Sequence, residues 1–291
     1  MIKKDMAEQA GLLSDYQETD RPSELSEQSA RELVWLGKVE PEVEAARDIA
    51  IVAHDGQVLW DGKTPFAAHA AAVYRAGRLM RGAEVPEDDE ERLMPFFYLV
   101  HERLWLPALA EHQDAKTAGD VLDQSDMLHD VVERRRGGIP ELARRGDTMA
   151  DQLRHPLLHP ATRDTVVAVS CQSGLPAIEK VQWARSLARG EAGLTPIVVK
   201  AHDAFHNLDP SRHPAEFQPR YAGTAVRNLD FLDIAMRGDE LLPQALLDAY
   251  PHDEQFADIV RTFYATRETT RDDPEALAGL IAWFKKETVG P

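Results

Sequence analysis

The sequence predicts an all-α protein, and three observations predict it. Apolar residues recur at three- and four-residue spacing along most of the chain. Helix starts are marked by a capping residue followed by proline, as at Thr64-Pro65 and Thr195-Pro196, and stops by glycine with proline beyond. No alternating strand series, internal repeat or low-complexity tract interrupts the pattern.

Residues 1–40 form an acidic N-terminal arm with a broken apolar pattern, read as partly helical or disordered. Pro41 opens a helix whose apolar residues run Val43–Ala53 and end near Gly56. Thr64-Pro65 opens the next, carrying Ala68, His69, Ala72, Val73, Ala76 and Leu79 to a stop at Gly82. An acidic loop at 84–91 precedes an aromatic helix over Met94–Ala110.

The central helix is expected from Gly119 to Arg136, ended by Gly137-Gly138 and Pro140. Residues 161–171 are rich in β-branched side chains, but a lone strand has no partner, so a helix is expected there. Thr195-Pro196 starts a helix over Ile197–Leu208, stopped at Asp209-Pro210. Residues 213–237 and 240–286 read as further amphipathic helices.

The chain has 291 residues, 43% of them hydrophobic, enough for a substantial core. The formal net charge of −17 argues against a nucleic-acid or anionic-membrane surface, which needs concentrated Lys and Arg. The single cysteine, Cys171, excludes an intrachain disulfide and a cysteine-based zinc site. Met1 to Leu13 is too polar for a signal peptide, and no apolar run approaches the roughly 20 residues of a membrane span. A cytoplasmic protein is the expectation.

Chemistry concentrates at residues 125–137, where His129 and Asp130 are adjacent on an apolar helix. Burying both is costly unless something compensates them, and a divalent ion would. Two other helices offer matching ligands, His69 on one and Asp203 on the other, with Asn207 four residues beyond Asp203. Imidazoles and carboxylates together suit a borderline or hard divalent ion. Each signal is weak alone. His202 and His206 also have a metal-pair spacing, without a glutamate after the first. His155 and His159 share it, but Pro156 and Pro160 argue against a regular helix there.

The order His69, His129-Asp130, Asp203 resembles the HD-domain phosphohydrolases. More specific words point to the RelA/SpoT-type hydrolase domain and its stand-alone relatives, the small alarmone hydrolases. Ala53-His54-Asp55-Gly56-Gln57 with Thr64-Pro65-Phe66 and His69 looks like their first motif, and Leu128-His129-Asp130-Val131-Val132-Glu133 like their second. Leu175-Pro176 with Glu179-Lys180 resembles a further segment of the stand-alone forms, and Val199-Lys200, Asp203 and His206-Asn207-Leu208 another motif. The likeness covers roughly residues 46–209.

This resemblance implies an HD-domain helical bundle binding one Mn²⁺ through His69, His129, Asp130 and Asp203. It implies hydrolysis of the 3′-pyrophosphate of guanosine polyphosphates, the (p)ppGpp alarmones of the stringent response, or of adenosine relatives. Glu133 matches the catalytic glutamate and Asn207 an asparagine at the nucleoside. His206 matches a structural residue. The implied layout is an arm at 1–40, a hydrolase domain at 41–237 with an inserted helical segment at about 84–118, and C-terminal helices at 238–291. Expected partners are a nucleotide polyphosphate and either a cognate alarmone-synthetase toxin, as for some stand-alone relatives, or a second copy of the chain.

The chain departs from that pattern where substrate would bind. Arg134 replaces the aspartate that follows the family's glutamate. Val58, Leu59 and Trp60 stand where an Arg-Lys pair is expected, with Lys63 the nearest base, and Ala177 replaces a frequent basic residue. Sixty residues separate His69 from His129, a longer interval than usual. The metal half of the motif set is kept and the substrate half rewritten, with Trp60, Lys63, Arg134 and Lys200 the candidates to contact a different nucleotide. Two alternatives stay open: a catalytically weakened metal-binding regulator, and an HD nucleotidase.

Overall fold

The computed structural model describes residues 27–59, 64–131, 153–170, 176–212 and 218–289, without the side chains of 27–30, 218–220 and 287–289. The described residues are overwhelmingly helical, as expected, and their β structure is one bridge between Val58 and Pro65. In chain order the helices are α1 (Glu27–Leu36), α2 (Glu44–Ala53), α3 (Ala67–Met80), α4 (Met94–Val100), α5 (Leu106–Leu109) and α6 (Ala115–Leu128). They continue with α7 (Pro160–Val169), α8 (Ala177–Ala188), α9 (Thr195–His206), α10 (Gln218–Ala235), α11 (Leu242–Ala249), α12 (Glu254–Thr270) and α13 (Pro274–Val289).

The most enclosed helix is α3, AAHAAAVYRAGRLM, in which every residue but Arg75 and Arg78 is buried. Alanine is the best helix former and lets neighbours approach closely. That allows α1, α2, α4, α6 and α9 all to pack on α3. Two apolar clusters meet along it. Ala67, Ala70, Ala71 and Tyr74 join one, with Met127 and Leu128 of α6; Ala76, Leu79 and Met80 join the other, with Leu122 of α6 and most of α9.

Four sequence expectations need correction or refinement. Thr64-Pro65 does not cap α3, which starts at Ala67. The Thr64 carbonyl accepts from the Leu59 N–H (2.8 Å) and the Phe66 N–H donates to the Gln57 carbonyl (2.9 Å), so the pair closes a small loop instead. The central helix α6 begins at Ala115, capped by the Asp114 carboxylate on the Thr117 N–H (2.8 Å), not at Gly119. It ends at Leu128 rather than Arg136, because the His129 ring N–H occupies the Asp126 carbonyl that the Asp130 N–H would otherwise take (2.7 Å). Residues 132–152, with the rest of the stretch expected to be helical, lie outside the described residues.

The third is a refinement: the helix expected over Met94–Ala110 is present but not uniform. The helix there widens into a π-helical turn at His101–Trp105, just ahead of Pro107, which has no N–H for the Arg103 carbonyl. One face is core: Phe96 stacks on Phe205 of α9 with ring centroids 4.0 Å apart, while Tyr98 and Leu106 are exposed. Fourth, Thr195-Pro196 does open α9, but the acceptor at its start is the Glu111 carboxylate, taking the Leu194 N–H (2.8 Å) and the Thr195 N–H (3.3 Å).

The segment 161–171 is helical as far as Val169, matching the preference for helix over strand. The C-terminal helices extend the α9 cluster through Leu242, Phe256, Leu277 and Phe284. A buried bidentate Arg185–Asp230 pair (3.0 and 2.8 Å), with Arg185 also donating to the Thr270 carbonyl, ties α8 to α10 and the end of α12. No helix among the described residues is long and apolar enough to cross a membrane.

Candidate metal centre

Three helices bring four potential ligands to one point. His69 comes from the first turn of α3, His129 and Asp130 from the end of α6, and Asp203 from the last turn of α9. All four are buried. His69 Nε2 lies 3.1 Å from His129 Nε2, 3.0 Å from Asp203 Oδ1 and 3.5 Å from Asp130 Oδ2. His129 Nε2 lies 3.4 Å from each of the same two carboxylate oxygens.

For His69, His129 and Asp130 those spacings match a shared ion, and Asp203 Oδ1 lies beside both imidazole nitrogens. Atoms about 2.1 Å from one cation lie about 3.0 Å apart at right angles and about 3.4 Å apart in a tetrahedron. Tautomers agree. Because His129 Nδ1 donates to the Asp126 carbonyl, the neutral ring presents an unprotonated Nε2 to the centre. Two carboxylates and two imidazoles, each able to present an unprotonated nitrogen, form a donor set that fits a divalent cation.

The electrostatics express the same need. Burial pushes the His69 imidazole down to about 3, with the His206 and His129 rings adding to the effect against Asp203. Burial works to lower His129 as well, but the Asp130 and Asp203 carboxylates outweigh it and hold that ring well above its usual value. Against the cost of burial, the His129 ring keeps Asp130 ionised, while Lys200 and both imidazoles keep Asp203 ionised.

A surrounding layer holds the ligands in register. His202 does not join the centre; its Nδ1 lies 3.0 Å from Asp126 Oδ2, with both residues wholly buried. That pair fills the space opposite Gly77, where a Cβ would overlap Asp126 Oδ2. Gly77, Asp126 and His202 therefore rivet α3, α6 and α9 together one layer behind the ligands. His206 stacks on His69 (4.6 Å, 26°), the two Nδ1 atoms in hydrogen-bond contact, and reaches Glu32 of α1 through Nε2 (3.3 Å). His54 and Phe66 complete the wall, Phe66 packing against both His54 and His69.

Of the residues proposed to contact substrate, Asn207 donates to Asp203 Oδ1 (2.6 Å) and Lys200 bonds Asp203 Oδ2, while also lying over the Trp183 ring. Both therefore orient a ligand. Glu133, Arg134, Trp60 and Lys63 lie outside the described residues, as does Cys171. His155 and His159 do not form a pair: His159 caps α7, its Nδ1 accepting from the Ala161 N–H (3.2 Å). Sequence reasoning missed Asp126, Gly77 and Glu32. Asp126 carried a signal, a polar residue one turn before His129 on an apolar stripe; Gly77 and Glu32 carried none that local pattern could expose.

No family model, curated protein or solved structure matches this chain.

Proposed function

We propose that the chain is a divalent-metal-dependent phosphohydrolase acting on a nucleotide polyphosphate, in the manner of the small alarmone hydrolases it resembles, with Mn²⁺ as the ion. One observation carries the reading: His69 Nε2, His129 Nε2 and Asp130 Oδ2 lie 3.1–3.5 Å from one another, and Asp203 Oδ1 lies 3.0 and 3.4 Å from the two imidazole nitrogens. His69, His129, Asp130 and Asp203 would hold the ion. Bound there, a divalent ion polarises a phosphoryl oxygen and acidifies a coordinated water.

The chain's own groups set up that chemistry. The Asp126 carbonyl fixes His129, and Lys200 and Asn207 fix opposite oxygens of Asp203, so the ligand geometry is held before anything binds. Phe66 packs against His69, and all four ligand residues are buried away from bulk water. Glu133, three residues beyond Asp130, is the proposed residue to orient the attacking water and relay its proton. The rewritten basic positions, with Arg134 in place of an acid, favour a nucleotide other than the family's commonest substrate.

The test is direct. The pure protein is incubated with Mn²⁺ and a panel of guanosine and adenosine 3′-pyrophosphates, NADPH and deoxynucleotides, and products are identified. Turnover that disappears in Asp203→Ala supports the hydrolase. Bound metal with no turnover on any substrate replaces it with the regulator, and orthophosphate in place of pyrophosphate replaces it with a nucleotidase.

A further inference from the structure

We propose that Glu32, on the N-terminal helix α1, is a positioning residue of the metal centre: it selects the histidine tautomers that leave His69 Nε2 able to coordinate. The inference rests on the metal reading above. It concerns Glu32 and Arg212, both outside the stretch that resembles the alarmone hydrolases.

Glu32 is 1% exposed, an unusual place for a carboxylate, and its Oε1 meets two nitrogens, His206 Nε2 (3.3 Å) and Arg212 Nη1. Arg212 Nη1 also contacts His206 Nε2. His206 Nδ1 faces His69 Nδ1, and His69 Nε2 faces the centre. A neutral imidazole carries one N–H, so this chain of contacts has two settings.

In the first setting His206 Nε2–H donates to Glu32. His206 Nδ1 then accepts from His69 Nδ1–H, and His69 Nε2 presents a lone pair. In the second, Arg212 donates to an unprotonated His206 Nε2. His206 Nδ1–H then donates to His69 Nδ1, and the remaining His69 proton sits on Nε2, where it blocks coordination. No proton is gained or lost between the settings; only its place changes. A carboxylate can only accept and a guanidinium can only donate, so Glu32 favours the first setting and Arg212 the second. Glu32 also takes Arg212 as its own partner, which draws the guanidinium's hydrogen-bonding capacity away from the ring. Docking of α1 on α3 thereby reaches the metal through two stacked rings.

The experiment uses the full chain with Mn²⁺ as probe, affinity measured by calorimetry, and folding checked by thermal melting. Glu32→Met, which removes the acceptor at similar volume, is expected to weaken Mn²⁺ binding by about ten- to a hundredfold, the range for partners behind a ligand. Adding Arg212→Met removes the competing donor and is expected to recover most of that loss. Imidazole ¹⁵N spectra of the wild-type protein, with and without diamagnetic Zn²⁺, are expected to show His206 protonated at Nε2 and His69 at Nδ1.

Equal Mn²⁺ affinity in wild type and Glu32→Met overturns the proposal and leaves the metal reading standing. So does a loss that Arg212→Met fails to recover. Failure of the wild type to bind Mn²⁺ overturns both. Should Glu32→Met not fold, the wild-type spectra decide: His206 protonated at Nδ1 overturns the proposal.

Discussion

At the scale of single residues, the centre depends on one absent methyl group. Gly77 leaves room for Asp126 and His202 between three ligand-bearing helices, and an added Cβ would have to displace a buried carboxylate. Gly77→Ala is expected to destabilise the fold by about 1–3 kcal/mol, the usual cost of overpacking, despite alanine's better helix propensity. Chemical denaturation reads the stability, and Mn²⁺ calorimetry should show weaker binding in the same variant, because His129 and Asp203 adjoin the displaced pair. A variant as stable as wild type would mean the helices can part without strain.

At the scale of elements, the distinction between legible and illegible features tracks the range of the interactions. The all-helical character was legible, and so were His69, His129, Asp130 and Asp203 as candidates, because helical spacing and residue type are local. Thr195-Pro196 and Thr64-Pro65 looked alike in sequence, yet only the first begins a helix. The second is claimed by hydrogen bonds to Leu59 and Gln57 that no cap rule anticipates. The end of α6 was overrun because the His129 side chain, not a glycine, takes up the Asp126 carbonyl. Glu111 was equally hidden, since it caps α9 from 83 residues away. Glu111→Ala is expected to cost roughly 1 kcal/mol, as for other lost N-terminal acceptors, and to lower the melting temperature. Hydrogen exchange should localise the loss to the first turn of α9; uniform exchange changes would argue that Glu111 acts elsewhere.

At the scale of the whole molecule, buried tyrosines set an alkaline limit. Burial, aided by Asp123, raises Tyr74 from 10.0 to about 12, and burial holds Tyr221, Tyr250 and Tyr264 above their usual value as well. A phenol whose folded pKa exceeds its unfolded one contributes stability in full below pH 10, and that contribution is lost as pH rises through the folded value. Melting temperature should therefore fall above pH 10. Tyrosinate absorbance should show these four phenols ionising only as the structure is lost. Four phenols titrating normally in a folded protein would contradict the packing of α3, α10, α11 and α12.

The placement of α9 has a temporal consequence. Its ligand face is served by helices that precede it, but its other side is sealed by helices made after it. The Leu208 carbonyl accepts from Tyr221 (2.9 Å), Phe205 packs against Tyr250, and Val198 and Val199 lie in a cluster that reaches Phe284. During synthesis every ligand leaves the ribosome well before the residues that keep α9 dry. A nascent chain stopped at residue 212 should therefore hold all four donors yet bind Mn²⁺ poorly and bind apolar dyes well. On the proposed reading, metal capture would belong to the end of folding, and the C-terminal helices would decide when it begins.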